Sequence, residues 1–207
     1  MEFKNILVPV DFSEFSDKAV ETAFNLAERF QAKITLAHVI VLFQEDFDEE
    51  SRFQEYEDFV KKREGKAQQQ IQLRQGKAVE RKIPVNSVLL RGFAPTDALL
   101  EHIEENEYDL VVMGTHGRTG LKHYVQGSVA EKMVRVAPIP VLTVHRSVQK
   151  FDIEKILVPI DFSNHSRQAA DYAAGIARIF KGKIVFFHAI EPEVYPAAYE
   201  YSFKMIL

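Results

Sequence analysis

The octapeptide ILVPVDFS at Ile6–Ser13 returns as ILVPIDFS at Ile156–Ser163, 150 residues further along the chain. The register then holds: Ser16 matches Ser166, Ala19 matches Ala169, Ala23 matches Ala173, Ala27 matches Ala177, Phe30 matches Phe180 and His38 matches His188. Self-similarity kept in step over that distance marks a repeated structural unit, and it has to be settled before any fold is considered. The 207 residues therefore read as one complete domain over residues 1–146, a short polar linker at 147–153, and an incomplete second domain at 154–207.

Within the first copy, strand-like and helix-like patterns alternate. Asn5–Val10, Lys33–Ile40, Ser87–Arg91, Leu110–Gly114 and Pro140–His145 are short runs rich in Val, Ile and Leu, as expected of strands covered on both faces. Four helical patterns separate them. Ser13–Phe30 has an N-capping serine and apolar residues at helical spacing. Glu50–Arg81 is long and polar with a thin stripe at Phe53, Tyr56, Phe59, Val60, Ala67 and Ile71. Pro95–Asn106 carries proline in its first turn, and Ser128–Val136 closes before Pro138. Strict alternation means parallel strands and right-handed crossovers, so the fold class is α/β: a doubly wound five-stranded parallel sheet followed by a partial β-α-β repeat.

Composition narrows the function. Hydrophobic residues at 46% and charged residues at 27% suit a globular core, and a net charge of −4 supplies no basic field for nucleic acid. Cysteine is absent, which removes disulfides, thiolate nucleophiles and cysteine metal sites. No apolar stretch approaches the roughly 18 residues that a membrane span needs, and the N-terminal apolar run is too short and too early for a signal peptide. The expectation is a cytoplasmic protein with no nucleic-acid or membrane partner.

In doubly wound sheets, ligands bind outside the carboxyl ends of the strands where strand order reverses. Two segments at such ends stand out: PVDFS after the first strand and GTHGRTGLKHYVQGS, Gly114–Ser128, after the fourth. Gly114 and Gly117 remove Cβ atoms at a sharp turn, so backbone amides can approach a ligand, and Gly127 and Ser128 lie where a helix begins and favours an anion. A second reading stays open. Ser128 and Glu131 have capping-box spacing, and a capped helix needs no ligand; Asp11 equally could do no more than turn the chain into its helix. His38 and His188 recur at matching strand positions, and packing or a backbone hydrogen bond accounts for them. His116 and His123 have no carboxylate at metal spacing, so no metal site is expected.

The spacing Gly114-x2-Gly117-x9-Gly127-Ser128, together with VPVDFS, resembles the nucleotide-binding form of the universal stress protein family, whose tandem members agree with the repeat. The resemblance implies an adenine nucleotide α-hydrolase-like fold with the first strand beside the fourth. It also implies ATP, with magnesium held mainly by the phosphates. Pro9, Val10 and Asp11 would lie beside the adenosine and Val39 would contact adenine through its backbone. Met113 and Gly114 would border the ribose, His116 and Gly117 would follow the phosphates, and Gly127, Ser128 and Val129 would hold them. The same resemblance implies a homo-oligomer formed through the edge strand Pro140–His145. No P-loop, nucleophile elbow or kinase signature is present. No catalytic residue is therefore assigned, and an ATP-binding regulatory protein of the stress response is expected. The alternatives are a slow ATPase or autophosphorylating phosphotransferase in the same crevice, and a scaffold with a vestigial pocket.

Overall fold

The computed structural model describes residues 3–42, 50–115, 128–145 and 152–190. The chain forms two compact units, one of residues 2–151 and one built from residue 152 onward. In the first unit the elements run β1 (Asn5–Pro9), α1 (Glu14–Phe30), β2 (Lys33–Val41), α2 (Glu50–Glu80), β3 (Val85–Gly92), α3 (Pro95–Glu104), β4 (Leu110–Gly114), α4 (Ser128–Val136) and β5 (Val141–Val144). The sheet is parallel throughout, in the order β3-β2-β1-β4-β5. The expected five strands and four helices are all present. β3 begins two residues before the expected Ser87, since Val85 already pairs with Ile34.

α1 forms where its residues favour it. Ser13 Oγ accepts from the Ser16 amide at 3.2 Å, and Glu14 and Asp17 sit in the first turn, where the helix dipole favours acid. Ala19, Val20, Ala23, Phe24, Leu26 and Ala27 form the buried stripe, and Gln31 in the left-handed conformation ends the helix. α1 and α2 cover one face of the sheet; α3 and α4 cover the other, as right-handed crossovers require when strand order reverses at β1. Leu7, Ala37, Val111 and Met113 meet Leu99, Ile103 and Met133 in the core of the α3/α4 face.

α2 departs from its expected stripe. Phe59 is exposed, whereas Arg74 is 8% exposed and lies in line with Ile71 and Ala78. The reason is a partner on α1: Arg74 Nε donates to Asp17 Oδ1 at 2.8 Å and Nη1 donates to the Gln70 carbonyl at 2.8 Å. A buried guanidinium is tolerated when its donors are filled in this way. A second clasp holds the sheet where β1 enters: Asp109 Oδ2 accepts from the Lys4 amide at 2.7 Å and the Asn5 amide at 2.8 Å.

The second unit repeats the opening of the first: β6 (Lys155–Pro159), α5 (Asn164–Phe180) and β7 (Lys183–Phe187), with β6 and β7 parallel. Ser163 caps α5 through the Ser166 amide at 3.1 Å, and Lys181 ends it in the left-handed conformation. Burial separates the copies. Leu7 is 0% exposed, whereas Leu157, its counterpart, is 65% exposed, and Val185 and Phe187 on the same strand face are also exposed. Among the described residues, no helix is long and apolar enough to cross a membrane.

This contrast gives a paired prediction. Leu7→Ala should cost about 2–5 kcal/mol in urea denaturation, the range for emptying a packed core position. Leu157→Ala should change stability by about 0.5 kcal/mol or less, as an exposed position does.

Candidate functional site

The crevice begins where β1 and β4 stop pairing. Their register contains only Ile6↔Leu110 and Leu7↔Val111, although β1 runs on to Pro9 and β4 to Gly114. The strands part before they end, at the position where the sheet order reverses and ligands enter folds of this kind. Beyond this gap β2 continues: its last β1 partner is Ala37, opposite Pro9, so Val39 lies past the end of β1, paired on its other side with Leu90.

Pro9 closes β1 and is half-buried. Val10 is 4% exposed, and both its backbone groups are committed to β2: its amide donates to the Ala37 carbonyl at 2.8 Å and its carbonyl accepts from His38 Nδ1 at 2.6 Å. Asp11 is the first polar residue after β1 and is partly exposed. Its Oδ1 accepts from the Ser13 amide at 3.0 Å and the Ser13 hydroxyl at 2.6 Å, a turn in which the aspartate mimics backbone. Between them Phe12 has φ 65°, a left-handed conformation that costs a residue with a Cβ about 1–2 kcal/mol. The turning role expected as the alternative for Asp11 is thus real; it engages Oδ1.

On the opposite lip, Met113 is 5% exposed and its side chain belongs to the core, which leaves its backbone as what it can offer a ligand. Gly114 pairs with Val144. A Cβ there would meet the Phe15 carbonyl carbon and oxygen at 2.8 Å. The close approach of α1 therefore requires glycine at this position whether or not a ligand lies beside its backbone. Val129 in the first turn of α4 is half-buried against the α3/α4 core. Ser128 begins α4, as expected, with its side chain outside the described residues. His116, Gly117 and Gly127 also lie outside them.

Thr115 and His145 follow the ends of β4 and β5. Thr115, 9% exposed, donates its amide to the Val144 carbonyl at 3.2 Å. Its hydroxyl is hydrogen-bonded to His145 Nδ1 at 3.1 Å. The His145 ring lies 6.4 Å from Phe15. The pair joins β4 to β5 across 30 residues, and nothing in the local sequence links them. Among the described residues, no cluster of three His, Asp or Glu could hold a metal ion.

His38 and His188 behave as their repetition implied. His188 Nδ1 donates to the Ile160 carbonyl at 2.6 Å, the same bond that His38 makes to Val10. The turn aspartate is repeated as well: Asp161 Oδ1 accepts from the Ser163 amide at 2.9 Å. The Ser163 hydroxyl and amide hold its carboxyl down to about 2, below the ordinary 3.8, so the Asp161 turn retains its charge until pH falls through that range.

A doubly wound parallel sheet with helices on both faces, whose strand order reverses between β1 and β4, defines the class. The chain belongs to the universal stress protein family, whose family model matches residues 2–145 and again residues 152–205. The universal stress protein MJ0531 of Methanocaldococcus jannaschii is 30% identical over 145 residues, covering 70% of this chain and 83% of that protein. The universal stress protein YxiE of Bacillus subtilis is 30% identical over 155 residues, covering 69% of this chain and 99% of its own. A universal stress protein crystallised in complex with cAMP is similar in fold, with a TM-score of 0.52 and 23% identity, covering 70% of this chain and 98% of that one.

Gly114→Ala should lower stability by about 1–3 kcal/mol through overpacking against Phe15. The loss should appear in urea denaturation with no nucleotide present, because it arises between α1 and β4.

Proposed function

We propose that this chain is an ATP-binding regulatory protein of the stress response, acting in the cytoplasm by nucleotide-dependent conformation or dimerisation. The observation that carries the reading is the parting of β1 and β4 at the switch point, with Asp11 after one strand and Gly114 at the end of the other. Adenosine lies beside Pro9, Val10 and Asp11, and adenine meets the backbone of Val39 where β2 outruns β1. Met113 and Gly114 border the ribose through their backbone. His116 and Gly117 follow the phosphates, which Gly127, Ser128 and Val129 hold at the start of α4, where the first amides of a helix have no intrahelical acceptor. Magnesium, where present, is bound mainly by phosphate oxygens and water. The cAMP complex of the neighbour supports adenine nucleotide as the ligand class.

The sheet edge supports assembly through β5. β5 is an edge strand, and α4, packed against it, leaves Val134 and Val136 exposed. An open edge with apolar residues beside it invites strand addition, and a two-fold pairing of β5 with β5 closes it.

Isothermal titration calorimetry should give ATP binding in the micromolar range, about −8 kcal/mol, with Asp11→Ala weakening it at least about tenfold. Absence of heat at saturating ATP and cAMP refutes the reading. Sedimentation equilibrium should show a dimer at tens of micromolar; a monomer there refutes the pairing of β5.

A further inference from the structure

The two copies share a structural device that the Asp-to-Ser turn does not need. In the first, the left-handed Phe12 places its ring 4.3 Å from His38 at an interplanar angle of 30°, while His38 Nδ1 holds the Val10 carbonyl at 2.6 Å. In the second, Phe162 at φ 66° lies 4.9 Å from His188, which holds the Ile160 carbonyl at 2.6 Å. Phe162 is 67% exposed, so burial does not create the arrangement. The local chemistry of ring, donor and carbonyl does.

In the first copy the device bears on the crevice. Side chains alternate along β2: Val39 faces the α3/α4 core, so His38 and Ile40 face α2. The clasp therefore touches the lip from the sheet face opposite Val39 and acts on Asp11 only through backbone, fixing the carbonyl before it and the ring after it. Arg74 adds a third layer, its guanidinium carbon 5.0 Å from the Phe12 ring. Next to the clasp is a hollow of about 410 Å³ lined by Phe12, His38, Ile40, Arg63, Lys66 and others. Phe12 borders this hollow and also packs against the Ile40, Val60 and Ala67 cluster, with the tilted His38 ring beside it.

We propose that His38 and Phe12 are positioning residues for the nucleotide crevice: the clasp sets the orientation of Val10 and Asp11 on the β1 lip and thereby sets affinity. This rests on the nucleotide reading above. The clasp recurs at Phe162 and His188 beside Asp161, so one residue can be tested against its duplicate.

The experiment is calorimetric titration of the full chain with ATP. His38→Phe keeps a ring and deletes the donor, and should raise Kd about tenfold, the net effect of one hydrogen bond. His38→Asn, which retains a donor near the Nδ1 position, should stay within about threefold, and His188→Phe within about twofold, a spread smaller than one net hydrogen bond. Wild-type affinity in His38→Phe overturns the proposal. So does equal weakening in His188→Phe, or a loss in His38→Asn as large as in His38→Phe. Should His38→Phe fail to fold, Phe12→Gly, at ease at positive φ, takes its place; several-fold weaker binding supports the clasp and unchanged binding overturns it. If the wild type binds no ATP, the nucleotide reading fails by itself. The clasp is then judged by hydrogen exchange at the Phe12 and Ser13 amides, which should quicken in His38→Phe; unchanged exchange overturns it.

Discussion

A strand paired on both sides and covered on both faces has nowhere to place a polar side chain until it ends. β1 is such a strand: Ile6, Leu7 and Val8 are each 0% exposed, β2 and β4 flank it, and helices close over both surfaces. Every polar function the strand can deliver is therefore concentrated at its carboxyl end, where Asp11 is the first residue released from the core. The sheet order reverses around β1, whose two neighbours are reached by crossovers on opposite faces. That reversal places the candidate crevice at the end of this buried strand.

The elements of this fold were legible because their signals are local. Apolar runs, Ser13 at a cap position and Pro95 at a helix start each fix a boundary within a few residues of themselves. What the sequence hid is what depends on distant partners. Arg74 is absent from the expected stripe, because its buried state rests on Asp17, 57 residues away. Asp109 accepts from amides 105 and 104 residues away, and Thr115 and His145 share no motif. Gly114 is the instructive case: glycine was correctly read as a close-approach residue, but the approaching group is the backbone of Phe15, which no spacing rule could name. The candidate crevice is legible in the same divided way. Asp11 and the Gly114 segment were picked out by position, whereas their adjacency came from the family resemblance, since chain spacing alone does not set strand order.

The repeat also separates what a residue does by itself from what its surroundings make it do. Asp161, Phe162, Ser163 and His188 reproduce the turn, the left-handed residue, the cap and the carbonyl bond of the first copy, although most of them are exposed. The corner is encoded by those four residues and is indifferent to burial. Leu7 and Leu157 show the reverse: the same residue in the same strand position is a core residue in one unit and an exposed one in the other. Local hydrogen bonding sets the shape, and tertiary cover supplies the hydrophobic stabilisation.

The spans of these bonds rank what each closure costs the chain. His38 closes on Val10 across 28 residues, but the Asp109 clasp on Asn5 spans 104. Short closures lose less chain entropy, so the β1-α1-β2 corner is the part of this domain that the chain can close at least cost. In the second unit the same corner keeps its turn, cap and carbonyl bond with Leu157 65% exposed, so cover over that strand face is not a condition for making it.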